Sequence, residues 1–67
     1  MNKLQKFGEI WELHKLTQRL ADECVQTLQV AKEDLTYDNL VEAHRKMMEY
    51  QLCRAEYKER LDQWEMN

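Results

Sequence analysis

The sequence predicts an all-α protein: a two-helix antiparallel hairpin that dimerises into a four-helix bundle. Three observations predict it. The 67 residues include no proline and one glycine, and 34% are charged, a profile that favours helix and leaves little material for tight turns or glycine-rich loops. The second half carries Leu40, Ala43, Met47, Tyr50, Arg54, Tyr57, Leu61 and Trp64, an alternation of threes and fours that draws one stripe along an α-helix, interrupted only by Arg54. Between Glu33 and Leu40 the apolar register slips: in an unbroken helix Leu35 would be followed on its own face by Asp38, Asn39 and Glu42. A short turn accounts for that slip better than one helix of about 90 Å does.

The first helix is expected over roughly residues 3–33. A seven-residue frame places Phe7, His14, Ala21, Leu28 and Leu35 at one seam position and Ile10, Thr17, Cys24 and Ala31 at the other. Leu4, Trp11 and Val25 flank this seam on one side, with Leu13 and Leu20 on the other. The apolar arc is therefore wider than a two-stranded coiled coil requires, and implies two neighbours. Ala21, Cys24 and Ala31 are small enough for a facing helix to come close, whereas His14 and Thr17 mark a wetter stretch.

The turn is expected at about residues 34–38, within EDLTYDNL, whose Thr, Asp and Asn suit helix ends better than interiors. Thr36 is the predicted N-cap of the second helix, with Asp38 in its first turn, where a negative charge favours the dipole. The second helix is expected over about residues 38–65. Besides the opening stripe it bears Val41, Met48, Leu52 and Ala55, again implying two neighbours; its Glu42/Lys46 and Glu56/Arg60 spacings read as a solvated face. Folding the chain about residues 37–38 sets Trp11 level with Trp64, Leu28 near Met47, Ala31 near His44, and the two cysteines at nearly the same height.

One domain, residues 1–67, is all this length allows, and a chain this short buries too little surface to be stable by a wide margin. Two cysteines make no disulfide scaffold, so self-association is the expected source of stability. The predicted hairpin or dimer core is Leu20, Cys24, Leu28, Ala31, Leu40, Ala43, Met47, Tyr50, Tyr57 and Leu61. The candidate partner-binding residues are Leu4, Phe7, Trp11, Met48, Leu52 and Trp64, with the tryptophans as anchors at the open end.

Composition narrows the functional classes. Thirteen acids are interspersed with ten bases for a net charge of −3, and the longest cationic run is Arg45-Lys46, so nucleic acid is not an expected partner. The N-terminal stretch MNKLQKFGEIWEL has no continuous apolar core and no stretch is apolar enough to span a bilayer; the expectation is no membrane, a cytoplasmic location and reduced cysteines. A metal would need His14, His44, Cys24 and Cys53 to converge, yet neither helix sets its His and Cys three or four apart. No metal, no cofactor and no catalytic residue are expected: serine is absent, and two helices offer few loops from which to build an oxyanion pocket.

The segment Leu40–Trp64, with Lys46-Met47 and Glu49-Tyr50-Gln51-Leu52-Cys53-Arg54, resembles the second helix of type III secretion needle subunits over about 25 residues of the chain. That resemblance implies a polymerising hairpin, although the turn here lacks the proline of those subunits. Leu40-Val41, Met47-Met48, Tyr57-Lys58 and Trp64 resemble the small phycobilisome-degradation adaptors, but align with them only through gaps inside a helix. Neither family is adopted. The expected function is a non-enzymatic protein–protein interaction module, a small regulator, inhibitor or adaptor that binds itself as a homodimer and presents a helical surface to another protein. The alternative is a structural subunit or co-chaperone of a secretion or other filament assembly.

Overall fold

The computed structural model describes residues 3–66, which form two helices, α1 over Lys3–Glu33 and α2 over Tyr37–Met66. Both run without proline, and each is laced along its exposed surface by pairs three or four residues apart, such as Glu12–Lys15 and Arg19–Glu23 on α1 and Glu56–Arg60 on α2. The helices pack antiparallel as a hairpin whose principal extents are 48 × 14 × 12 Å.

Three residues connect the helices, and side chains do the work that glycine does in other turns. Among the described residues none has positive φ. The Thr36 hydroxyl accepts the Asn39 backbone N–H at 3.2 Å, the N-cap role read from the sequence, while the Asn39 amide donates to the Asp34 carbonyl at 2.8 Å and ties the first turn of α2 to the end of α1. The Asp34 N–H reaches back to the Val30 carbonyl at 2.9 Å, so a backbone donor just past the helix is also satisfied.

Ile10, Thr17, Cys24 and Ala31 are buried, a seven-residue row along α1. Thr17 is not in a wet stretch. Its hydroxyl donates to the Leu13 carbonyl at 2.8 Å, which satisfies it within its own helix, and lies 3.2 Å from Cys53 Sγ across the seam.

On α2 the buried residues are Ala43 and Cys53, with Asn39, Lys46, Tyr50, Tyr57 and Trp64 half-buried. The inward face thus combines the row Ala43, Tyr50, Tyr57, Trp64 with the row Asn39, Lys46, Cys53, Arg60. The predicted stripe shares the first row but took Leu40, Met47, Arg54 and Leu61 as the second, so the observed seam is turned by about 50° from it. Two cross-helix ion pairs accompany the rotation. Lys46 reaches Glu23 at 2.6 Å and Arg60 reaches Glu9 at 3.8 Å, so long cationic side chains lie along the seam with their heads carried to acids at its edge.

The register also differs from expectation. Phe7 meets Trp64, His14 meets Tyr57, Thr17 meets Cys53 and Glu23 meets Lys46, which centres the fold near residue 35. The turn runs from Asp34 to Thr36, and the chain folds about its midpoint, residue 35, and not about residues 37–38. Cys24 therefore does not face Cys53, which sits level with Thr17, seven residues or about 10 Å along the axis. A disulfide requires Cα atoms within roughly 7 Å; both cysteines are buried free thiols.

Candidate functional site

The two long sides of the hairpin differ in chemistry. One is held by charge. Glu9 and Glu23 of α1 reach Arg60 and Lys46 of α2, and Lys46 and Arg45 continue the network to Glu49 and Glu42. A hydrogen bond from Lys46 holds the Glu23 carboxyl below its ordinary value of 4.5, and the same bond raises the Lys46 ammonium above 10.5. For Glu23 the depressed folded value means that the stabilisation is complete above the unfolded pKa and is lost as pH falls through the folded one; for Lys46 it is complete below 10.5 and lost as pH rises through the raised value. The melting midpoint of the wild-type chain is therefore expected to fall between about pH 6 and pH 3 more steeply than that of Glu23→Gln. Parallel curves from circular dichroism would show that this pair contributes nothing to folding.

The opposite side is apolar. Phe7 and His14 touch Trp64 and Tyr57, so the seven-residue row Phe7, His14, Ala21, Leu28 borders α2 here, and the next row outward is Leu4, Trp11, Gln18, Val25. From α2 the row Leu40, Met47, Arg54, Leu61 completes the surface. Phe7, Trp11, Val25, Leu28 and Leu40 remain about half exposed, and Leu4 is 77% exposed. Lone exposed apolar residues are ordinary on a monomer, whereas a band of them along a whole side is the type of surface that interfaces use. Arg54 makes no ion pair among the described residues.

The open end of this side is aromatic. Phe7 and Trp11 stack with centroids 6.5 Å apart, Phe7 lies 6.4 Å from Trp64, and His14 stands between Trp11 at 5.4 Å and Tyr57 at 5.5 Å. The rings, with Ile10 and Leu61, enclose a cavity of about 230 Å³. The Trp64 indole N–H is buried without an acceptor among the described residues, an unmet donor that costs about 1–3 kcal/mol.

The residues singled out from the sequence divide among these regions. Cys24, Ala31 and Ala43 are buried in the seam; Leu20, Tyr50 and Tyr57 are half-buried at its margins. Leu28, Leu40, Met47 and Leu61 lie outside the seam on the apolar side. Leu4, Phe7, Trp11 and Trp64 gather at the open end, whereas Met48 and Leu52 stand apart on the outer surface of α2 and do not join them. Cys53 is a seam residue, buried as a small reduced thiol as its type predicts, although the expected stripe of α2 did not include it. Its seven-residue row also holds Lys46 and Arg60, which read as solvent-facing until their stems and partners are seen.

Among the described residues there is no group of three or more His, Cys, Asp or Glu placed to hold a metal, and no helix long and apolar enough to cross a membrane. What the surface offers chemically is a shape and an apolar area. No protein-family model, curated protein or solved structure matches the chain.

Proposed function

We propose that the chain is a non-enzymatic protein–protein interaction module, a small dimeric regulator, inhibitor or adaptor that works by presenting helical surfaces. One observation carries this reading: an apolar side, from Leu4 at the open end to Leu40 beside the turn and broken only by Gln18 and Arg54, faces water, while on the opposite side ion pairs from Glu9 and Glu23 to Arg60 and Lys46 span the two helices. Two helices cannot cover that side themselves, and four-helix closure is the simplest way to bury it. Met48 and Leu52 then remain on the outside of the bundle, available to a different protein.

The test is solution mass by light scattering in reductant over a wide concentration range. A constant mass of two chains is expected. A fully helical single chain at every concentration overturns the dimer, and a mass that grows with concentration points to a polymer instead.

A further inference from the structure

We infer that the apolar side is covered by a second copy of the same chain lying antiparallel to the first, with the two-fold axis passing beside Gln18 and Gln51. This rests on the reading of that side as an interface, and adds its occupant, orientation and register.

The area fits. A compact monomer of 8.2 kDa exposes about 4500 Å². This chain exposes 5505 Å². The excess of about 1000 Å² reflects the 48 × 14 × 12 Å elongation of a two-helix layer, and a second layer stacked on it, hiding roughly 800 Å² per partner, would bring the surface back towards the compact value.

The pattern is self-complementary when reversed. On α1 the side reads Leu4, Phe7, Trp11, His14, Gln18, Ala21, Val25, Leu28, Lys32, in steps of three and four. Turned about Gln18, Phe7 meets Leu28 of the second copy, Trp11 meets Val25 and His14 meets Ala21, so each ring finds a smaller residue, while at the ends Leu4 lies along the aliphatic stem of Lys32. On α2 the reversal about Gln51 brings Leu40 to Leu61 and lays the Arg54 stem on Met47, with the guanidinium free to reach the edge. A single axis must serve both helix pairs, and it does: since Thr17 is opposite Cys53, Gln18 and Gln51 lie within about one residue rise, roughly 1.5 Å, of the same height.

The residues at the axis suit it. A side chain on a two-fold meets its own copy, and a charged one would repel itself, whereas a glutamine amide carries both donor and acceptor and pairs with its twin. The parallel arrangement fits less well. It would stack the aromatic rings of both copies at one end and set His14 and Trp11 against the cations Arg54 and Lys58, with Ala21, Val25, Leu28, Leu40 and Met47 at the other end, a less even distribution of volume than the antiparallel pairing gives.

Gln18 and Gln51 are exposed in the hairpin, so cysteine at either position leaves the fold intact. Under mild oxidation Gln18→Cys and Gln51→Cys are each expected to run mostly as a covalent dimer on a non-reducing gel, while the wild type, with its two thiols buried, stays uncrosslinked. If light scattering gives a dimer but only the mixture of the two variants crosslinks, the copies are parallel and this proposal fails while the interface stands. A dimer with no crosslink at either position places the axis elsewhere and also overturns it. A single-chain mass or an open polymer removes the interface reading itself.

Discussion

Ala43→Leu is expected to destabilise the hairpin by about 1–3 kcal/mol, because a larger side chain inserted where packing is already closed forces strained rotamers or a shift of backbone. Ala43 is 3% exposed and Ala31 4%, the two most enclosed positions of the seam, both towards the turn. Helices joined by only three residues have little freedom to part at that end. For a chain of this size each kcal/mol moves the thermal midpoint by about 4–8 °C, so a loss of roughly 5–20 °C is expected in circular dichroism. Ala55→Leu, on the exposed surface of the same helix, serves as the control and is expected to leave the midpoint almost unchanged. Equal melting of the two variants would mean that Ala43 is not a point of close approach.

Leu28→Lys is expected to separate the dimer while leaving the hairpin's own contacts intact. Leu28 is 46% exposed in the single hairpin, and lysine near the end of α1 suits the helix dipole, so the isolated chain loses little. In the antiparallel dimer the same side chain is buried against Phe7 of the second copy, and this happens twice by symmetry. Burying a leucine contributes about 1.5–3 kcal/mol. Losing it and adding a charge at both sites raises the dissociation constant by at least about 100-fold, at 1.4 kcal/mol for each factor of ten. Val30→Lys supplies the comparison. Val30 is 51% exposed but lies on the ion-paired side, in the same seven-residue row as Glu9 and Glu23, and its replacement is expected to leave the mass unchanged. If light scattering finds the same mass for wild type and Leu28→Lys, Leu28 is outside the interface.

These two variants test different surfaces, and the surfaces were not equally legible in the sequence. The inner face of α1 could be read from the spacing of Ile10, Thr17, Cys24 and Ala31, because four small or apolar residues seven apart have no other common use. The aromatic end could be read as well, since Phe7, Trp11 and Trp64 lie far from the turn in any hairpin. The side of α2 that faces inward was harder. Its rows Leu40/Met47/Arg54/Leu61 and Asn39/Lys46/Cys53/Arg60 both adjoin Ala43/Tyr50/Tyr57/Trp64, and hydrophobicity favours the first. The fold uses the second, which sets Cys53 against Thr17 and brings Lys46 and Arg60 to Glu23 and Glu9 on α1, contacts between residues far apart in the chain that no local pattern records.

The sequence by itself determined two helices, the break between them and the cap that starts the second, since these follow from the absence of proline, the slip of an apolar period and the hydroxyl of Thr36, all local properties of the chain. Only the tertiary structure decided the register and the rotation of α2. A fold point at residue 35, not 37–38, put Phe7 and not Trp11 beside Trp64 and carried Cys24 away from Cys53. The rotation that brings Cys53, Lys46 and Arg60 to Thr17, Glu23 and Glu9 left Leu28, Leu40, Met47 and Leu61 on a common outer side. Helix formation answers to neighbours three and four residues away, whereas register and facing answer to partners more than twenty residues distant; the interaction surface is a product of the second.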